Sequence, residues 1–211
     1  MASLEHFLVL EKNVIIAPNI HVLTFAARGV PKARPGQFFE LKSPYFLRRP
    51  ISVMQQTESS ISFGIKAVGK GTEALCKLIP GEKVSALGPL GRGFDLRHIP
   101  QAGRIVLAGG GIGIFPLFYL AASLGDSSCE LECYSIFGFR SAAECFLEDE
   151  LRKLGRMTIL SSDSGGLDFH GNVPAALEAF LADTNVKALA IFSCGPEAML
   201  KAVSSIGRRK E

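Results

Sequence analysis

Up to about Leu96 the chain alternates apolar and polar positions in short bursts. HVLTFAA, GQFFELK, ISVMQQ, SISFGIKAV and EKVSALG are each between five and nine residues long. They are rich in β-branched and aromatic residues and are separated by Pro, Gly, Asn or Ser, the marks of half-buried strands. With FLVLEKN at the start, they predict six strands at sandwich-or-barrel spacing. One segment of this half has a helical period. GTEALCKLIP places Leu75, Leu78 and Ile79 on one face, with Thr72 as the expected N-cap and Pro80-Gly81 as the stop.

Beyond the linker RHIPQAGR the rhythm changes. RIVLA, ELECYSIFG, MTILSS and VKALAIFS each predict a buried strand, and an amphipathic segment follows each. In the second of these segments Ala143, Leu147, Leu151 and Leu154 recur at helical spacing, with Glu148, Asp149, Arg152 and Lys153 outside. Four strand–helix repeats predict a parallel, doubly wound sheet. The expected domains are therefore 1–98, a β domain, and 102–211, an α/β domain.

The first strand–helix junction of the second half contains a run from Ile105 to Gly125, 21 residues without a charge. A bilayer-spanning helix needs about 20 apolar residues, so length alone would permit one. Four glycines and Pro116 in the first twelve positions point instead to a strand, a sharp turn and a core helix. Glycines let such a turn approach a ligand closely, and the free N–H groups of the helix that follows attract an anion. No membrane span is expected.

Composition narrows the rest. Of 211 residues 47% are hydrophobic and 20% charged, with a net charge of +3. That suits a globular chain with a substantial core and offers no basic face for nucleic acid. The N-terminus MASLEHFLVLEKN lacks a signal-peptide pattern, and five cysteines without CxxC spacing suggest reduced thiols in a cytoplasmic protein. Cys129 and Cys133 share one face of an alternating run, which favours core packing over metal binding. His6, His21, His98 and His170 show no pairing and are expected to be surface or structural. No metal site is expected.

A glycine-rich turn is weak by itself, and GGGIG departs from the GxGxxG spacing. Its company is more specific. RRPISV at Arg48–Val53, IKAVGKGTEAL, LGPLGRGF, GGGIGIFPL and FSCGPEAML follow one another in that order. Over about residues 5–206 the chain resembles the ferredoxin–NADP reductase superfamily. Within it, the wording is most similar to the electron-transfer subunits of dihydroorotate dehydrogenase B.

The resemblance implies a six-stranded antiparallel flavin-binding barrel followed by a Rossmann-like parallel-sheet nicotinamide-binding domain, with FAD and NAD(P)H as cofactors. Arg49 would pair with the FAD diphosphate, where a guanidinium fork suits phosphate oxygens. Gly71 and Thr72 would present backbone N–H groups and a hydroxyl to the same group. Arg49, Pro50, Ile51 and Ser52 stand in the superfamily's flavin motif, with Ile51 in the place of an aromatic stacking residue. The Ser52 hydroxyl would lie beside the ring, and Ile65, Lys66 and Ala67 would line it with backbone groups. Gly109, Gly110, Gly111, Ile112 and Gly113 would take the dinucleotide pyrophosphate. Cys194, followed by Gly195 and Pro196, would lie by the nicotinamide, with Ser52 and Cys194 the catalytic pair. Asp163 would accept hydrogen bonds from the adenosine ribose and repel a 2′-phosphate, which favours NADH. Arg140 argues mildly for NADPH.

The activity implied is hydride transfer from NADH to FAD, with electrons passed to a redox partner or a catalytic flavoprotein subunit. A stand-alone ferredoxin, flavodoxin or flavin reductase is the enzymatic alternative. A non-catalytic nucleotide-binding regulatory subunit is the alternative of another class, and RRPIS with GKGT argues against it. The chain departs from the subunit pattern after SIGRRKE, where a further strand and a cysteine-rich [2Fe–2S] tail are expected. No C-x4-C-x2-C run occurs, so no iron–sulfur cluster is expected in this chain, either because the protein lacks one or because this chain is a shortened form. The strand around Val186–Ser193 is expected to be an open sheet edge, covered by a partner or a second copy.

Overall fold

The computed structural model describes residues 4–100, 102–125, 130–183, 188 and 190–209. The chain divides into two compact units, Met1–Phe94 and Asp95–Glu211, so the second unit begins earlier than residue 102.

In the first unit six strands close into a barrel in the order β1-β2-β5-β4-β3-β6. They are β1 (Glu5–Ala17), β2 (Ile20–Ala26), β3 (Phe38–Leu41), β4 (Arg49–Gln56), β5 (Ser60–Lys66) and β6 (Lys83–Leu90). Every neighbouring pair is antiparallel. The period-2 pattern sends Leu8, Leu23, Phe25, Phe39, Ile61, Phe63 and Val84 inside, all buried. Phe63 is the hub of this core. It meets Phe25 and Phe39 edge-on, with ring centroids 6.0 and 5.8 Å apart. Closure leaves no free sheet edge. Long β1 serves both ends of it, pairing with β6 through Glu5–Val9 and with β2 from Val9 onward, with a register shift between Leu10 and Lys12.

Helix α1 (Lys70–Cys76) packs beside β5. Its N-cap is Gly69, and Thr72 is its third residue. The Thr72 hydroxyl reaches back to accept the N–H groups of Val68 and Gly69 at 3.0 and 3.3 Å. Threonine does the capping, but from inside the first turn. The helix also stops before Ile79, which is 65% exposed. Asn13 Nδ2 captures the carbonyls of Cys76 and Leu78, both at 2.8 Å, satisfying acceptors that a helix C-terminus leaves open. His21 Nδ1 donates to Asn13 Oδ1 at 2.8 Å, and burial lowers its pKa.

The second unit is a five-stranded parallel sheet in the order β10-β9-β8-β7-β11. Its strands are β7 (Ala102–Gly110), β8 (Glu130–Phe139), β9 (Met157–Ser162), β10 (Phe169–His170) and β11 (Ala190–Cys194). Val106, Ala108, Tyr134 and Ile136 face α4 (Val173–Asp183) and α5 (Glu197–Arg208). On the other face lie α2 (Ile114–Gly125) and the short α3 (Glu148–Arg152). The uncharged run is thus most of β7, a tight turn and α2. Among the described residues no helix is long and apolar enough to cross a membrane.

Two expectations about this unit need correcting. The period through Ala143–Leu154 does not make one helix. A single 3-10 turn covers Ala142–Glu144, Leu147 takes a left-handed φ of 52°, and α3 follows. The anchor of the segment is Phe146, which stacks on Phe115 at 5.0 Å and meets Phe139 edge-on at 5.2 Å. Burying that ring turns the chain out of helical geometry and leaves Ala143 exposed. The two-residue β10 was also not anticipated. Asp168 secures it by accepting the Leu160 N–H at 2.9 Å and both Nη groups of Arg152 at 2.9 and 3.0 Å. Cys133 is buried in β8, and Cys129 lies outside the described residues.

Removing the Phe63 ring, as in Phe63→Ala, should cost about 3–5 kcal/mol of barrel stability. Urea unfolding followed by far-UV circular dichroism checks this. A Phe46→Ala change in the exposed β3–β4 loop should leave the midpoint unmoved.

Candidate active site

The first candidate region lies at the start of β4. Pairing of Leu41 with Arg49 and Phe39 with Ile51 places Arg49 and Ile51 on one side of the strand and Pro50 and Ser52 on the other. Val53, on the same side as Arg49, is fully buried, whereas Ile51 and Arg49 are half-buried. That side of β4 therefore passes from the core to the barrel mouth within two residues.

At the mouth Arg49 meets α1. A Cβ built on Gly71 would overlap the Arg49 guanidinium at Nε, Cζ and Nη2. Only glycine lets the arginine lie against the first helical turn. The N–H groups of that turn have no partner within the helix, so a guanidinium and a set of peptide donors converge. Anionic oxygens suit both.

Not every expected group is available there. The Thr72 hydroxyl is occupied, since it also donates to Gly69 O at 3.0 Å. The Ala67 N–H donates to Asn19 O at 2.8 Å. The Ile65 side chain belongs to the core. Of Ile65, Lys66 and Ala67, only the half-buried Lys66 and Ala67 reach solvent. Ser52 is half-buried, with its hydroxyl on the other side of β4 from Arg49.

The second region lies at the carboxyl edge of the parallel sheet. From β7 the chain runs to β8, β9 and β10 on one side, while β11 lies on the other. This reversal of order opens a crevice between the turns that follow β7 and β11, where open α/β sheets bind ligands. Both turns are built for close approach. A Cβ on Gly113 would overlap the Cys194 carbonyl. One on Gly110 would lie 2.8 Å from Met199 Sδ and 3.2 Å from Pro196 Cδ, and one on Gly195 would lie 2.7 Å from Met199 Cε.

The five residues Gly109–Gly113 consequently divide their work. Gly109, Gly110 and Gly113 are buried and allow the turns to interlock. Gly111, with φ of +54° and nothing within 4 Å of its virtual Cβ, faces open space beside the exposed Ile112. Met199, in the first turn of α5, was not singled out from the sequence, although CGPEAML contains it. It is the side chain on which Gly110 and Gly195 both rest.

Cys194 is half-buried and pairs in register with Gly109. Burial pushes its thiol pKa above the ordinary 9.0, so it remains a neutral thiol at physiological pH. Arg140, just after β8, and Asp163, just after β9, stand side by side, two and three strands from Cys194. The Asp163 N–H donates to Phe139 O at 3.2 Å and the Ser164 N–H to Arg140 O at 3.1 Å. Both side chains are exposed on the rim that carries the glycine turn. Among the described residues no group of three or more His, Cys, Asp or Glu could hold a metal ion.

No protein-family model matches the chain. It is 33% identical over 205 residues to the electron transfer subunit of dihydroorotate dehydrogenase B (NAD(+)) from Fusobacterium nucleatum, covering 93% of this chain and 78% of the relative. The corresponding subunit from Listeria welshimeri is 35% identical over 195 residues, covering 90% and 74%. Among solved structures, an NADH-dependent reduced ferredoxin-NADP oxidoreductase superposes with a TM-score of 0.83 at 24% identity, covering 95% of this chain and 72% of that one. A ferredoxin-NADP+ reductase from Plasmodium falciparum gives 0.77 at 14% identity, covering 97% and 91%. These structural likenesses establish the fold.

The state of the Cys194 thiol can be checked directly. Its raised pKa means the thiolate is scarce below pH 9 and increases as pH rises. Iodoacetamide labelling, followed peptide by peptide in a mass spectrometer, should be slower at Cys194 than for free cysteine at pH 8. Its rate should still be climbing beyond pH 9.

Proposed function

The chain belongs to the family of electron transfer subunits of dihydroorotate dehydrogenase B, and from this we propose that it takes hydride from NADH onto FAD and passes electrons to a catalytic partner subunit. The observation that carries the reading is the Arg49 guanidinium laid over Gly71 at the start of α1, a cradle with no room for a Cβ and with donors only. Bound FAD supplies the redox chemistry, accepting two electrons together and releasing them to the partner.

The chain's own residues bind and orient. Arg49 and the first-turn N–H groups of α1 hold the FAD diphosphate. Ile51 offers an aliphatic side chain at the barrel mouth. Pro50, Lys66 and Ala67 would bound the ring, and the Ser52 hydroxyl would serve as a hydrogen-bonding group for it. In the second unit Gly111 and Ile112 present the exposed part of the glycine turn to the dinucleotide pyrophosphate, with Gly109, Gly110 and Gly113 keeping that turn close to the strand ends. The turn contains no lysine. Peptide donors and the α2 dipole hold the phosphates there. Cys194, a neutral half-buried thiol followed by Gly195 and Pro196, places the nicotinamide, and acceleration comes from orientation. Asp163 accepts the ribose hydroxyls, selecting NADH.

The barrel unit, Met1–Phe94, serves as the flavin unit and Asp95–Glu211 as the nicotinamide unit. β11 pairs with β7 and is the last strand of its sheet among the described residues, so a partner or second copy adds its own strand there. A cytoplasmic setting suits the free thiols of Cys76, Cys133, Cys145 and Cys194.

The purified protein should be yellow and should bleach when NADH is added without oxygen. Cys194→Ser should slow bleaching and keep the flavin, while Arg49→Ala should lose FAD first. A colourless protein unable to take up FAD would overturn the reading. Asp163→Asn should raise kcat/KM for NADPH relative to NADH by about tenfold, the scale of one charge contact. Sedimentation of the isolated chain as a strict monomer would count against pairing of copies at β11.

A further inference from the structure

Adjacent arginines at the start of β4 have separate partners. Arg49 reaches the first turn of α1. Arg48 grips three other strands. Its Nη1 donates to Glu40 O on β3 and Ser85 O on β6, both at 3.2 Å. Its Nη2 donates to Ser85 Oγ at 2.9 Å and to Glu5 Oε1 on β1 at 2.7 Å. The Ser85 hydroxyl closes the cluster by donating to Glu5 Oε1 at 2.6 Å. These bonds hold the Glu5 carboxyl below its ordinary pKa, with Ser85 the larger cause and Arg48 next. The Arg48 side chain is only 25% exposed.

The position of this clamp matters. Immediately before it runs the irregular segment Ser43–Leu47, where Tyr45 and Leu47 are exposed and Phe46 is 93% exposed. The side-chain bonds within that segment are long: Ser43 Oγ donates to Leu47 O and accepts the Tyr45 N–H, both at 3.4 Å. Immediately after the clamp, Arg49 forms the first rung of β4 with Leu41. One peptide link therefore separates the point where the chain is seized from the residue that must meet Gly71.

We infer that Arg48 is a positioning residue for the flavin diphosphate: by tying the start of β4 to β1, β3 and β6, it fixes the backbone from which Arg49 reaches α1. This rests on the reading of Arg49 and Gly71 as the diphosphate cradle. A lysine cannot replace Arg48, because a single ammonium cannot span a carbonyl pair, a hydroxyl and a carboxylate from three strands as a planar fork does.

The test compares FAD with riboflavin, which has the ring and no phosphate. The full chain, stripped of flavin, is titrated with each by fluorescence quenching, as wild type and as Arg48→Lys, Arg49→Ala and the double variant. Arg48→Lys should weaken FAD binding about tenfold, the scale of one charge-assisted hydrogen bond, and leave riboflavin binding within about twofold. The double variant should bind FAD no more weakly than Arg49→Ala alone, because the first arginine acts through the second. Equal weakening of FAD and riboflavin in Arg48→Lys would make the residue merely structural and overturn the proposal. So would unchanged FAD binding in Arg48→Lys while Arg49→Ala weakens it, a result that leaves the cradle standing. Unchanged FAD binding in Arg49→Ala would instead overturn the cradle and this proposal with it.

Discussion

Steric exclusion of a Cβ governs both functional regions. At Gly71 the excluded atom would occupy the space of the Arg49 guanidinium, and at Gly113 that of the Cys194 carbonyl. At Gly113 two strand-end turns approach at backbone distance and any other residue would hold them apart, whereas at Gly71 a Cβ would push the Arg49 guanidinium off the first turn of α1. The barrel closes and the sheet forms through generic burial. The sites form because these glycines let a helix start meet an arginine and one strand-end turn meet another.

What those contacts achieve electrostatically differs between the units. The barrel site brings a full positive charge to its helical donors, a permanent hold for an anionic cofactor. The sheet site brings peptide dipoles alone, with the neutral thiol of Cys194 beside them. The family relation, at about one residue in three over nine-tenths of the chain, is to electron transfer subunits.

Polar contacts around the first site serve geometry more than stability. Asn13 stops α1 by taking two of its terminal carbonyls, and Thr72 shapes its start. Arg48 seizes the entry to β4 from the far side. The partly exposed ion pair between Arg48 and Glu5 adds little to folding free energy by itself. Its guanidinium nevertheless joins three strands at one point, and that is a constraint on direction.

The strands were legible because their period is two and their partners are generic. All six barrel strands stand where alternation of apolar residues puts them, the four longer sheet strands overlap the apolar runs of the second half, and RRPIS, GKGT, GGGIG and CGPE lie at strand ends. The short two-residue β10 carries no period; its pairing with β9 and the Asp168 contacts to Leu160 and Arg152 hold it in the sheet. Leu147 and Ala143 fit a helical stripe, yet Phe146 wins the burial, because stacking between Phe115 and Phe139 needs neighbours that come from two other elements. Ile79 fits the α1 stripe and lies in solvent because Asn13, more than sixty residues earlier in the chain, ends the helix first. Local periodicity thus determined which segments pair and which types of turn join them. Which glycine carries an arginine, which one faces open space, and which of two arginines fastens the strand were decided only when distant segments met. Those choices depend on the space left between atoms, and no single segment of sequence contains both sides of that space.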